Sequence, residues 1–387
     1  MTFKPSLSKH NTRLELADSL RGLAIGGITI WHFIQHMNFW NFPQFSALDC
    51  ITYDISYFLF CGKMYAIFAL LFGLSMFIQV DNQKQQGIDF RLRFCWRMCI
   101  LMIFGLFDLC FYNGDILFVY AVCGLLIIPF VMLRNRFIGI ASIIFLIQPI
   151  EFISLITGII NPYYQPLNLN LDYYFGELFK VQETGGFIDV ALAGIKNGLQ
   201  INFFYAIESG RLTQTIGLFL LGVIIGRKRL LYNESNNIFI WKRIIIFTFI
   251  TFFFFNIISP LILSHIARTS ILYPLTTILK SWENLAFILF LIFTLNYFFH
   301  RKQACKNALF YITPYGRMSL TNYILQSIIG GFLFYNWGLG LFKTCGHFES
   351  MLLGLLVVIV QFAFSKWYLK SHSKGPLENI WHKLTWI

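Results

Sequence analysis

The stretch SLRGLAIGGITIWHFIQH, residues 19–36, sets two histidines four residues apart in an apolar run, with Arg21 eleven residues before the first. On a helix that spacing puts His32 about 16 Å deeper along the axis than Arg21, and His36 one turn further on the same face. An imidazole withdrawn from water needs hydrogen-bond partners, so a histidine at that depth faces a cavity or another polar group. The chemistry it offers is proton transfer. With one ring nitrogen fixed by a carboxylate, the other is free to take a proton from a hydroxyl or an amine. Carboxylates at a matching depth stand in DLCFYNGDILFVY, where Asp108, Asn113 and Asp115 flank a turn, and Lys63 in FLFCGKMYAIFALLFG reaches the same level. Each group also has a plain structural reading: a satisfied core histidine, an Asn-Gly turn that Asp115 merely caps, a lysine that snorkels outward.

Positioning such groups falls to membrane helices. Of 387 residues, 57% are hydrophobic and only 12% charged, with 45 Phe, a composition that calls for long apolar runs rather than an aqueous core. Runs of about 20 apolar residues fall near 20–41, 54–80, 94–112, 114–133, 137–160, 211–226, 238–263, 277–299, 317–336 and 349–369, which predicts an all-α bundle of about ten spans in one domain, 1–387. Lys4, Lys9 and Arg13 precede the first run with no small-residue cleavage site after it, the pattern of an uncleaved anchor.

With both termini cytoplasmic, all but seven of the 30 Lys and Arg fall on the inner side, the exceptions being Lys63, Lys180, Lys196, Arg211, Arg268, Lys280 and Lys343. That asymmetry explains the net charge of +12 by topology and an anionic inner leaflet or cytosolic ligand, not by nucleic acid. The eight cysteines never form Cys-x-x-Cys, so neither a zinc site nor a disulfide framework is expected, although an external Cys50–Cys345 bridge is compatible with the topology. Residues 161–210 read as an external amphipathic or re-entrant segment able to cap a cavity, and residues 371–387 as a cytoplasmic amphipathic tail. The polar run Arg317, Ser319, Thr321, Asn322, Tyr323 and Gln326 reads first as glue between helices.

The strings LADSLRGLAIGGITI, KMYAIFALLFG, NGDILFVYAVCGLL, GLFLLGVIIGR, GRMSLTNYILQS and GPLENIWHKLT, in that order across nearly the whole chain, resemble the YeiB-like family of bacterial inner-membrane proteins. The resemblance implies the fold of the wider transmembrane acyltransferases, which include heparan-alpha-glucosaminide N-acetyltransferase and the type-three acyltransferases. The chain departs from many YeiB-like sequences in carrying His32 where they carry asparagine, and Phe107 and Asp108 where they often carry a histidine before the Gly-Asp-Ile-Leu turn. The step from Arg21 to His32 instead matches the arginine and histidine of type-three acyltransferases.

The resulting expectation is an inner-membrane enzyme, with no bound cofactor or metal, that moves an acyl group from cytosolic acyl-CoA to a sugar or lipid of the envelope at the outer face. His32 would serve as general base or transient acyl carrier, with Asp115 or Asp108 orienting it. Arg21, Arg97 and Arg317 would attract the donor's phosphates, while Lys63 and His36 would shape the acceptor pocket. A transporter or flippase using the same buried polar groups is the alternative, and a non-catalytic membrane scaffold the third. Donor chain length, acceptor and oligomeric state are not legible in the sequence.

Overall fold

Lipid offers no partner for backbone N–H and C=O groups, so apolar runs of this length satisfy them within helices. The computed structural model of the protein describes residues 14–35, 46–234 and 236–386, and the regular elements among the described residues are helical throughout. In chain order they are α1 (Glu15–Gln35), α2 (Ala47–Phe60), α3 (Met64–Gln85), α4 (Arg91–Leu109), α5 (Leu117–Ile127), α6 (Asn135–Leu146), α7 (Pro149–Ile160), α8 (Leu171–Thr184) and α9 (Phe187–Ala193). They continue with α10 (Leu199–Glu208), α11 (Arg211–Arg227), α12 (Asn237–Leu263), α13 (Thr269–Arg301), α14 (Gln303–Arg317), α15 (Ser319–Phe334), α16 (His347–Tyr368) and α17 (Pro376–Thr385).

Among the described residues, each of the ten apolar runs is occupied largely by helix, the stretch 36–41 of the first lying outside them. By length and composition alone, four helical stretches are fit to cross a membrane: α2 with α3, α12, α13 and α16. Two bent pairs, α6 with α7 and α9–α10 with α11, raise that number to six. The ten-span expectation is not reached by this measure, for physical reasons. Helix α1 carries Glu15, Asp18 and Arg21, α4 carries Arg91, Arg93, Arg97 and Asp108, and α5 and α15 are short at 11 and 16 residues. The apolar exterior matches a lipid surroundings: α12 turns Phe247, Ile250, Phe254 and Ile257 outward, a face that water would penalise.

Helix α1 lies at the centre, packed against α3, α14 and α16, and all but a few of its residues from Leu16 to Ile34 are buried. The segment 161–210 folds as α8–α10 and turns by 73° into α11 at Gly210, whose φ of 66° suits glycine. At the other end of the bundle α17 packs beneath α4 and α15. All eight cysteines are free, so the Cys50–Cys345 bridge is not formed.

Candidate functional site

Two cavities follow one another along α1 and α3, and Tyr120 lines both. The first, on the α17 side and here called the basal cavity, has a volume of about 190 Å³. The second, walled on one side by α8 and α10 and here called the capped cavity, has about 320 Å³. Tyr120 is held between them by its hydroxyl, which donates to the Tyr65 carbonyl at 2.5 Å, and by its ring, 5.9 Å from Phe68 and 5.3 Å from Phe219.

His32 is buried in the wall of the capped cavity. Its ring sits 4.5 Å from that of Tyr112, whose hydroxyl donates to Gln35 at 2.9 Å. The group that fixes its Nδ1 is neither aspartate expected from the sequence. Gln326 of α15 does so, with Nε2 2.9 Å from Nδ1, and its Oε1 has no partner among the described residues. Gln326 also contacts Ser327, whose hydroxyl donates to Asp108 at 3.1 Å. Asp108 therefore touches the histidine only through two intermediaries. Asp115 lines the same cavity but its carboxylate accepts the Leu117 and Phe118 N–H groups at 2.9 and 2.8 Å, closing the N-terminus of α5 as a cap residue does.

Lys63 lines neither cavity. The break at Gly62 (φ 71°) turns Gly62 and Tyr65 toward the capped cavity and Lys63 away, with its Nζ 5.1 Å from the Phe58 ring and 5.4 Å from the Phe287 ring. The expected acceptor-pocket role for it is not supported by that placement. His36 lies outside the described residues.

Arg21, Arg97 and Arg317, far apart in sequence, all line the basal cavity. Arg21 pairs with Asp18 at 2.5 Å and donates to Ser75. Arg97 stacks over Trp381, 3.6 Å from the ring centroid, and Arg317 donates to the Ser373 carbonyl at 2.8 Å. The tail helix α17 closes the cavity floor. The Glu378 carboxylate accepts the N–H groups of Leu320 and Thr321 at 2.7 and 3.0 Å and the Thr321 hydroxyl at 2.6 Å, so a residue of the tail caps α15. Trp381 Nε1 donates to the Arg97 carbonyl at 3.1 Å.

Burial raises the Glu378 carboxyl above its ordinary value of 4.5. The docked tail then holds the proton more tightly than a free tail does, so docking weakens as pH rises from about 4.5 through the raised value. Glu378→Gln is expected to keep the tail docked and to remove this pH dependence. Glu378→Ala loses the cap, at roughly 0.5–2 kcal/mol. Limited proteolysis at Lys374 and Lys383 checks both: cleavage is faster in Glu378→Ala and level across pH in Glu378→Gln.

Sequence reasoning missed Arg211, which opens α11 and lines the capped cavity beside His32, and read Gln326 only as glue. A signal for Arg211 was present. It is one of the seven basic residues placed away from the inner side, with no acidic residue within two positions of it.

The comparisons with known proteins agree with the resemblance. Residues 225–387 match the family described as "Protein of unknown function (DUF418)". The whole chain is 24% identical to 97% of "Uncharacterized protein YxaH" of Bacillus subtilis, and 97% of it is 24% identical to 94% of the "Uncharacterized 39.9 kDa protein in amylase 3'region" of Bacillus acidopullulyticus. Over 70 residues, 18% of each chain, it is 40% identical to "Uncharacterized protein YeiB" of Escherichia coli. No solved structure matches the chain. With α12–α17 matched to the family and near full-length similarity to two relatives, the comparisons support a YeiB-like DUF418 family for the chain.

Proposed function

We propose that the protein is a bacterial inner-membrane acyltransferase that takes acyl groups from cytosolic acyl-CoA through the basal cavity and delivers them to a sugar or lipid acceptor in the capped cavity. The observation that carries this reading is the pair of cavities in line along α1 and α3, one rimmed by three arginines and the other holding a buried histidine, with Tyr120 common to both. A ten-span bundle with cytoplasmic termini, as in the wider transmembrane acyltransferases, puts the basal cavity and α17 on the inner side.

In that reading the acceptor hydroxyl attacks the thioester carbonyl, the new ester bond forms as the C–S bond breaks, and the hydroxyl proton passes to His32 Nε2 and on to the departing thiolate. The base needs the tautomer in which Nδ1–H donates. Gln326 supplies an acceptor when its amide presents Oε1, which has no partner among the described residues, to His32. Gln326 thus takes the orienting part that the sequence assigned to Asp115 or Asp108. Arg21, Arg97 and Arg317 hold the donor's phosphates by charge-assisted hydrogen bonds.

Purified protein incubated with labelled acetyl- and longer-chain CoAs tests this, with thiol release as the readout. Wild type is expected to consume at least one donor. Arg97→Gln is expected to raise the donor KM about tenfold with kcat nearly unchanged, the pattern of lost ground-state binding. Absence of donor consumption with every chain length overturns the reading. A transporter is the second reading, favoured by the position of Tyr120 as the wall between two cavities. It requires uptake of a solute into sealed vesicles and no thiol release.

A further inference from the structure

Acyl transfer as described leaves one half-buried cation of the capped cavity without a role. Arg211 follows the left-handed Gly210 at the 73° bend into α11, and its guanidinium carbon lies 4.9 Å from the Tyr65 ring centroid and 4.8 Å from that of Tyr205. Two phenol rings flank it, a stacking arrangement suited to arginine. Among the described residues it makes no ion pair and none of its N–H groups has an acceptor. The cavity's carboxylates do not neutralise it: Asp115 is taken by the Leu117 and Phe118 N–H groups, and Asp172 is exposed at the start of α8.

A cation held partly out of water without a counter-charge is costly, and folding tolerates it where a ligand supplies the charge. A second polar group points the same way. Asn202, also in the cavity wall, donates to the Asp115 carbonyl, while its own Oδ1 is buried without a partner among the described residues. The wall therefore offers a planar cation with five donors and a lone acceptor, with His32 in the same cavity and Trp31, Phe175 and Phe179 as apolar surface.

We infer that the capped cavity takes an anionic, hydroxyl-bearing ligand, its phosphate or carboxylate paired with Arg211 and a hydroxyl donating to Asn202. This rests on the acyl-transfer reading only in making that ligand the acceptor. Binding itself requires no turnover.

Full-length protein in detergent, titrated with glucose 6-phosphate, glucuronate and glucose, tests the inference by ligand-induced thermal stabilisation. The same protein in discs of phosphatidylglycerol or phosphatidylcholine distinguishes a lipid headgroup from a soluble sugar. At least one anionic probe is expected to bind ten or more times more tightly than its neutral counterpart. Arg211→Gln is expected to abolish that preference and Arg211→Lys to keep part of it. Because Gln removes an uncompensated charge, unliganded Arg211→Gln should melt no lower than wild type, which separates lost binding from lost folding. No preference for any anionic probe, or a preference that survives in Arg211→Gln, overturns the inference. Failure of the thiol-release assay with this preference intact overturns acyl transfer alone.

Discussion

His32→Gln is expected to lower acyl transfer by two to four orders of magnitude, the range of a lost general base, with folding and donor binding nearly unchanged. Glutamine is close enough in length to keep a hydrogen bond to Gln326 and fills most of the space between Tyr112 and α15, but it cannot accept a proton. His32 is 6% exposed and lines the capped cavity, and its ring packs on Tyr112 and edge-on to Tyr323. A structural histidine gives the opposite pattern, with loss of melting temperature and retained turnover in whatever protein folds. Gln326→Leu, which removes the orienting amide while keeping its volume, should lower kcat more than it raises KM. A kcat in His32→Gln within a factor of three of wild type would rule out the base role.

Gly73→Ala is expected to cost the protein much of its stability, through a clash between two helix backbones. At the crossing of α3 and α11 a Cβ on Gly73 would stand 2.0 Å from the Phe219 carbonyl oxygen, and one on Gly222 would stand 2.1 Å from that of Leu70. No rotamer relieves a clash between backbones, so the two helices must part. Overpacking of this kind costs about 1–3 kcal/mol or more, and small residues at such crossings are what lets membrane helices approach. The same crossing carries Tyr65 on α3 and Arg211 on α11, so its opening also disturbs the capped cavity. Gly222→Ala should cost as much alone but less on top of Gly73→Ala, since the first substitution already separates the helices. Gly139→Ala, where only Ile224 Cδ1 comes within 4 Å, at 3.8 Å, is the neutral control. Thermal unfolding in detergent reads all four proteins, and equal midpoints for Gly73→Ala and Gly139→Ala would contradict the packing argument.

The helices were legible in the sequence because an apolar run of 20 residues has few other ways to satisfy its backbone. Order along α1 was legible too: the eleven-residue step from Arg21 to His32 leads from a residue of the basal cavity to one of the capped cavity. Distances across helices were not. Asp115 reads as an orienting carboxylate at the right depth, yet the turn at Asn113–Gly114 spends it on the N-terminus of α5. Gln326 sits 294 positions from His32, and no periodicity on either helix indicates that α15 turns that amide toward α1. Lys63 had the right depth and the wrong direction, because a single left-handed glycine sets which way the next side chain points. The three arginines line one cavity, Arg21 and Arg97 from the N-terminal halves of α1 and α4 and Arg317 from the C-terminal end of α14.

The most direct test of acyl transfer across the bundle is sided transfer in sealed, inside-out membrane vesicles that contain the protein, with labelled acetyl-CoA added to the surrounding solution. Transfer between the two cavities requires label to appear in sugar or lipid extracted from the vesicles, at a rate that falls at least a hundredfold in His32→Gln. Label that stays in acetyl-CoA, or that reaches the extract equally in wild type and His32→Gln, would contradict it.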